Sequence, residues 1–256
     1  MKKILGITIL GFILLTFQFC KKNEITYGDF SIVTPEQGLL KINYASSYTA
    51  NPGIHLEVNN KRVSNIITGR TPFPGGGYNT LGDSRPDYLA VSPGNTSITV
   101  AVPNKGTNTD SVVLFTGTTT IEAGKNYTAH ITDTANKTKL FVTVDEFSLP
   151  DSGFAKFKFV NLMPNVTALD LYYGATKVAS NIQYLAASDY FTIAVPSTAL
   201  AWTIRETGTM PTSTALATYS SASTTSNQRV YTAFALGYKG LTDAVRKPYI
   251  SFLLNR

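Results

Sequence analysis

Twice along this chain, apolar and polar residues alternate over short runs separated by turns, and both times the runs come in the same order. From Ser152 the sequence reads SGFAKFKFVNLMPNVTALDLYYGATKVASNI. Phe157, Phe159 and Asn161 share one face against Lys156, Lys158 and Val160. A loop at Met163-Pro164-Asn165 follows, Leu169-Asp170-Leu171-Tyr172 alternates again, and Tyr173-Gly174-Ala175 turns the chain into Lys177-Val178-Ala179. Successive side chains of a strand point to opposite faces, so this period of two marks half-buried strands. The earlier stretch from Gly38 to Ile66, GLLKINYASSYTANPGIHLEVNNKRVSNI, has the same grammar. Such strands must bury their apolar faces sheet on sheet, which restricts the fold to a sandwich or a barrel.

The pattern continues with no helical period. Ile54, Leu56 and Val58 alternate with His55 and Glu57; Ile98, Val100 and Val102 with Thr99 and Ala101; Tyr127, Ala129 and Ile131 with Thr128, His130 and Thr132. Asn59-Asn60, Pro93-Gly94-Asn95 and Ala123-Gly124-Lys125-Asn126 supply the turns. The second half answers in order. Lys41 corresponds to Lys156, Asn65-Ile66 to Asn181-Ile182, Tyr88-Leu89-Ala90-Val91 to Tyr190-Phe191-Thr192-Ile193, and the strand at Tyr127 to Val230–Phe234. The chain of 256 residues is long enough for two domains of about 110 residues, each with its own core. The expectation is an all-β protein of two tandem antiparallel sandwiches, residues 27–146 and 154–256, joined by a linker at 147–153. Thr212 to Gln228, rich in Ser, Thr and Ala, reads as a mobile loop.

The N-terminus reads as an address. Lys2 and Lys3 precede an almost wholly apolar stretch from Ile4 to Phe19, shorter than the roughly 20 residues of a membrane-spanning helix. Cys20, the one cysteine, ends that stretch, and Lys21-Lys22-Asn23-Glu24 is abruptly polar. This resembles a bacterial lipoprotein signal, with residues 1–19 removed, Cys20 as the lipid-attachment site and residues 20–26 as a tether. Phe17-Gln18-Phe19 departs from the small residues usual before such a cysteine, and an uncleaved signal anchor is the alternative. Either reading places the body outside the cytoplasm, with the membrane as a partner through the N-terminal lipid.

The inventory for chemistry is thin, and no catalytic residue, cofactor or metal site is expected. His55 and His130 fall at positions opposite the apolar faces of their strands and read as solvated. No His-Glu-x-x-His, nucleophile elbow or paired Cys/His spacing occurs. Gly117 to Lys125, GTTTIEAGK, has the wrong glycine spacing for a phosphate loop and reads as a turn entering a strand. Asp170, between two leucines, suits a structural hydrogen bond to backbone amides. The formal charge is +6, falling to +4 without residues 1–19, and its lysines and arginines are scattered, which argues against nucleic acid as a partner. The most unusual loop runs from Arg70 to Tyr88, RTPFPGGGYNTLGDSRPDY. Phe73, Tyr78 and Tyr88 offer flat rings and Asp83, Arg85 and Asp87 offer polar tips, a mixture that suits a glycan or protein ligand. The competing reading is a crossover whose rings cap the sandwich. Asp110-Ser111-Val112 and Asp133-Thr134-Ala135 resemble a short O-glycosylation motif of exported bacterial proteins.

Ala155-Lys156-Phe157-Lys158-Phe159-Val160-Asn161-Leu162-Met163-Pro164, followed by Ala168-Leu169-Asp170-Leu171-Tyr172-Tyr173-Gly174, resembles the opening of a bacterial family known as domain of unknown function 4397. Lys158 stands where the family usually has Arg, and Met163 where it has Ser. The resemblance implies immunoglobulin-like β-sandwiches in secreted or lipid-anchored proteins of Bacteroidetes type, and no activity. The expected role is a non-enzymatic binding, adhesion or scaffold module of the bacterial cell envelope, held at the outer membrane. Its alternative is a surface glycan-binding lipoprotein using the Arg70–Tyr88 loop.

Overall fold

The computed structural model describes residues 33–69, 87–104, 110–220 and 224–256. Thr34–Arg256 forms one compact unit. Among the described residues the regular secondary structure is strand, apart from a 3-10 turn at Ala135–Lys137 and a 3-10 residue at Thr224. The first half supplies β1 (Gly38–Tyr44), β2 (His55–Val58), β3 (Lys61–Arg62), β4 (Leu89–Val91), β5 (Gly94–Pro103), β6 (Asp110–Ile121), β7 (Asn126–Thr132) and β8 (Lys139–Val144). The second supplies β9 (Phe154–Asn161), β10 (Ala168–Tyr173), β11 (Thr176–Gln183), β12 (Ala186–Ala187), β13 (Phe191–Ala194), β14 (Trp202–Glu206), β15 (Ala217–Tyr219), β16 (Val230–Leu236) and β17 (Tyr249–Leu254). β15 lies inside the stretch expected to be loop and pairs with β14.

Each half folds into a sandwich of two sheets. The first has orders β4-β1-β7-β8 and β3-β2-β5-β6; the second has β12-β9-β16-β17, with β13 also on β9, and β11-β10-β14-β15. The pairs are antiparallel except that β1 lies parallel to β7 and β9 parallel to β16. A parallel neighbour requires a long crossover, and here the intervening strands, most of them in the opposite sheet, form it. The first core is aliphatic, with Leu40, Ile42, Ile54, Leu56, Ile98, Val100 and Ile131 nearly or wholly buried. The second is aromatic. Trp202 sits with Phe157, Tyr173 and Phe252 at ring separations of 4.9, 4.6 and 5.4 Å, and its indole N–H donates to Thr224 Oγ1 at 2.9 Å.

A third apolar cluster joins the sandwiches. Ala45 and Phe141 of the first half pack with Val160, Leu162, Phe234, Leu236 and Leu253 of the second. The sheets containing β1 and β9 are therefore covered on both faces, which is why β7, β16 and β17 are buried almost throughout. This overturns the reading of the histidines. His130 is fully buried between Phe141 and Phe234, at ring separations of 6.2 and 6.4 Å, and His55 is also fully buried. For His130, alternation located the face turned away from its sandwich's own core; it did not say that the other sandwich covers that face. Burial, followed by the nearby Lys158 ammonium, depresses the His130 pKa to about 3.

The register of the parallel pairs gives the internal equivalence and corrects the sequence alignment. Lys41 stands opposite Thr128, and Lys158, not Lys156, stands opposite Thr232. Lys41 and Lys158 are thus counterparts, and their surroundings match. The Lys41 ammonium lies 4.3 Å from the Tyr88 ring and donates to the Leu254 carbonyl at the end of the other half. The Lys158 ammonium lies 5.3 Å from the Tyr190 ring and donates at 2.9 Å to the Val144 carbonyl at the end of the first half. Val144 and Leu254 pair with Tyr127 and Tyr231, which occupy the same place in β7 and β16. One residue further on, Asp145 accepts from Thr128 Oγ1 at 2.5 Å, and Asn255 Nδ2 donates to Thr232 Oγ1 at 2.8 Å. The two faces meet like the self-complementary patches of a two-fold dimer, written here into one chain.

The symmetry breaks at one residue. Asp145 also accepts from Lys158 Nζ at 2.7 Å and from the Tyr88 hydroxyl at 2.8 Å, whereas Asn255 carries no charge. The segment expected to link the halves, 147–153, follows shortly after this buried carboxylate. Further along, the Glu146 amide donates to the Tyr190 hydroxyl, the Phe147 carbonyl accepts from Arg256, and Pro150 is buried. Asp145, Glu146 and Phe147 thus tie the start of this segment to the second half.

Candidate functional site

At one end of the junction, loops from both sandwiches enclose a cleft of about 340 Å³. The first half contributes Ser47, Thr49 and the turn Asp133–Lys137; the second contributes Tyr238, Leu241 and Arg246. Three other depressions among the described residues each belong to a single sandwich.

The walls are fixed locally. On the first half, β7 ends at Thr132, whose hydroxyl donates to the Leu162 carbonyl of the second half at 2.7 Å. Asp133 then takes a left-handed conformation (φ 63°), one that Asp tolerates better than most residues. Thr138 Oγ1 closes the following turn on the Ala135 carbonyl at 2.8 Å. On the second half, Gly237 (φ 91°) begins the return loop; a Cβ there would lie 2.1 Å from the Lys247 carbonyl oxygen, so the close approach requires glycine. Asn165 braces the loop by donating to the Lys239 carbonyl and accepting from the Lys239 amide, each at 2.9 Å.

Charge is arranged around one carboxylate. Asp133 Oδ1 accepts from the Thr134 amide at 2.8 Å and from the Tyr238 hydroxyl at 2.6 Å, a hydrogen bond that crosses between the sandwiches. Burial, followed by that bond to Asp133, pushes the Tyr238 pKa up; burial and the same carboxylate push Tyr184 up to about 12. Both phenols are protonated at neutral pH, and Tyr238 is the one that donates to Asp133. Arg246 points Nε at Asp243 Oδ2 at 2.9 Å, and Lys137 is exposed on the opposite wall. The groups can bind and orient a polar ligand. Among the described residues no cluster of three or more His, Cys, Asp or Glu could hold a metal ion.

The residues singled out in the sequence lie elsewhere. Phe73, Tyr78, Asp83 and Arg85, and the lipid-attachment residue Cys20, fall outside the described residues. Asp87 is exposed. Tyr88 is half-buried; its hydroxyl is on Asp145, Lys41 lies over its ring, and Phe147 meets that ring edge-on at 5.3 Å. Of the two triplets resembling a glycosylation motif, Asp133-Thr134-Ala135 lines the cleft. Asp170 accepts from the Asn181 amide at 2.8 Å, as expected for a structural carboxylate, and also from Lys177 Nζ at 2.5 Å and Thr207 Oγ1 at 2.7 Å. Burial raises its pKa, but these donors outweigh burial and the net shift is downward. Tyr238 and Arg246 escape a reading of the sequence because nothing in their local sequence marks them; only the return loop brings them to Asp133.

The profile of the family described as Domain of unknown function (DUF4397) matches residues 44–172, just over half of the chain. The chain belongs to this family. The match runs from the end of β1 through the first sandwich into β10, so the DUF4397 signature crosses the junction between the halves instead of resting on the second copy alone. No curated protein matches the sequence. Among solved structures, a protein of Bacteroides uniformis ATCC 8492 described as "a putative cell adhesion protein" is 10% identical, with 86% of this chain and 98% of that chain covered and a TM-score of 0.24. At that similarity it says nothing about the role of this DUF4397 member.

Proposed function

We propose that this DUF4397 protein is a non-enzymatic binding or adhesion module of the bacterial cell envelope. Residues 1–19 act as a lipoprotein signal, Cys20 carries the lipid, residues 20–26 form a tether, and the bodies at 27–146 and 154–256 present the ligand site. The observation that carries this reading is the cleft at the sandwich junction, whose polar walls come from both halves and are braced by backbone contacts. Recognition by loops on a rigid sheet framework needs that arrangement. Two measurements test it. A fatty-acid probe should label the wild type in cells and not Cys20→Ala. Cells carrying wild type should be retained on the organism's own extracellular matrix, and cells carrying Lys137→Glu should lose retention at unchanged protein level. Equal retention of both removes the cleft from the reading, and turnover of a matrix component by the purified protein would overturn its non-enzymatic part. The Arg70–Tyr88 loop is the proposed second contact. There Phe73→Ala or Tyr78→Ala should reduce retention without lowering Tm.

A further inference from the structure

We infer that the junction cleft takes an acidic saccharide, a sugar that carries both hydroxyl groups and a carboxylate. This rests on the binding reading above and names its ligand. Three groups in the cleft have unused capacity. Both hydrogen bonds that Asp133 makes to described residues fall on Oδ1, which leaves Oδ2 as an acceptor. Arg246 engages Asp243 through Nε, and its two terminal nitrogens form no hydrogen bond with a described residue. Lys137 is exposed and forms no ion pair with a described residue.

This combination discriminates among ligand classes. A simple anion would gain the two cations but meet the Asp133 carboxylate, where like charges repel. A neutral sugar would donate hydroxyls to Asp133 and leave Lys137 and the terminal nitrogens of Arg246, whose Nε is on Asp243, unused. A uronate uses all three, its carboxylate on the planar Arg246 guanidinium and the Lys137 ammonium and its ring hydroxyls on Asp133 Oδ2, Ser47 and Thr49. Leu241 and the Tyr238 ring give an apolar wall for the C–H face of the sugar. The volume of about 340 Å³ lies at the small end of ligand pockets.

The test is affinity electrophoresis of the mature protein in gels containing polygalacturonate, the neutral polymer dextran, or poly-glutamate. The expected result is retardation by polygalacturonate alone. Lys137→Gln/Arg246→Gln should weaken it by about tenfold or more, the loss of charge-assisted hydrogen bonds. Asp133→Asn, which keeps an acceptor for Tyr238, should weaken it about threefold. Because the chain is basic overall (pI about 9.2), the charge-matched variant Lys61→Gln/Lys125→Gln, outside the cleft, must bind as wild type does. If that control weakens binding equally, the attraction is generic and the inference falls. Retardation by dextran to the same extent overturns the acidic class, and retardation by poly-glutamate to the same extent overturns the saccharide. Retardation by none of the three overturns the inference while leaving the binding module to be judged by the cell-retention assay, which does not depend on ligand identity.

Discussion

The two sandwiches use the same strand order and meet through equivalent residues, yet they end differently. After β8 comes Asp145; after β17, at the equivalent place, comes Asn255. In the first case the residue holds an ammonium and two hydroxyls; in the second, the amide donates to one threonine hydroxyl. A buried ion pair contributes little net stability over an apolar replacement, but removing one partner strands the other charge. The near-symmetric junction is thus energetically lopsided, with the larger penalties concentrated on one of its two halves.

That asymmetry can be broken experimentally. The largest effect is expected from Asp145→Ala. It leaves Lys158, only 4% exposed, without its carboxylate, and should cost about 3–5 kcal/mol in denaturant unfolding. A cost near that of Asn255→Ala would mean the two ends are energetically alike. Next comes acid sensitivity. His130 is neutral in the folded protein down to about pH 3, whereas the unfolded chain takes up a proton near its ordinary value of 6.5. The unfolded state therefore binds more protons between those values, and stability falls as pH drops from about 6.5 toward 3, by on the order of a few kcal/mol. Its counterpart in the second copy is Phe234, so His130→Phe makes the copies alike and should flatten that part of the pH–stability curve. An unchanged curve would remove His130 as its cause.

Asn255→Ala should cost about 1 kcal/mol, one neutral buried hydrogen bond. The smallest effect is expected at Lys177, which sits on buried Asp170 but is itself 41% exposed. Lys177→Ala should cost less than about 1 kcal/mol because solvent screens the pair and the Asn181 amide and Thr207 hydroxyl still hold the carboxylate. A loss as large as that of Asp145→Ala would show that exposure does not decide the outcome.

Much of the fold is legible in the order of the residues. The hairpin of β10 and β11, its turn at Gly174 and the core positions Phe157, Phe159, Leu169 and Leu171 follow from alternation and turn chemistry. The match of Tyr88-Leu89 with Tyr190-Phe191 also holds, because Leu89 stands opposite Leu40 and Phe191 opposite Phe157 on the equivalent first strands. The alignment of Lys41 with Lys156 failed by two residues. A shift of two preserves the facing of every side chain in a strand, so periodicity could not detect it.

By itself, the sequence determined that this chain is sheet throughout its described length, that it says so twice, and which side chains each sandwich buries. Those are short-range properties, set by a period of two and by turn residues. The tertiary structure alone decided that Lys41, His130 and Lys158 are interior and that Asp133 meets Tyr238 across the junction. Whether a strand's second face sees water or another sheet depends on a surface supplied by the other half of the chain, and no local pattern of residues records it.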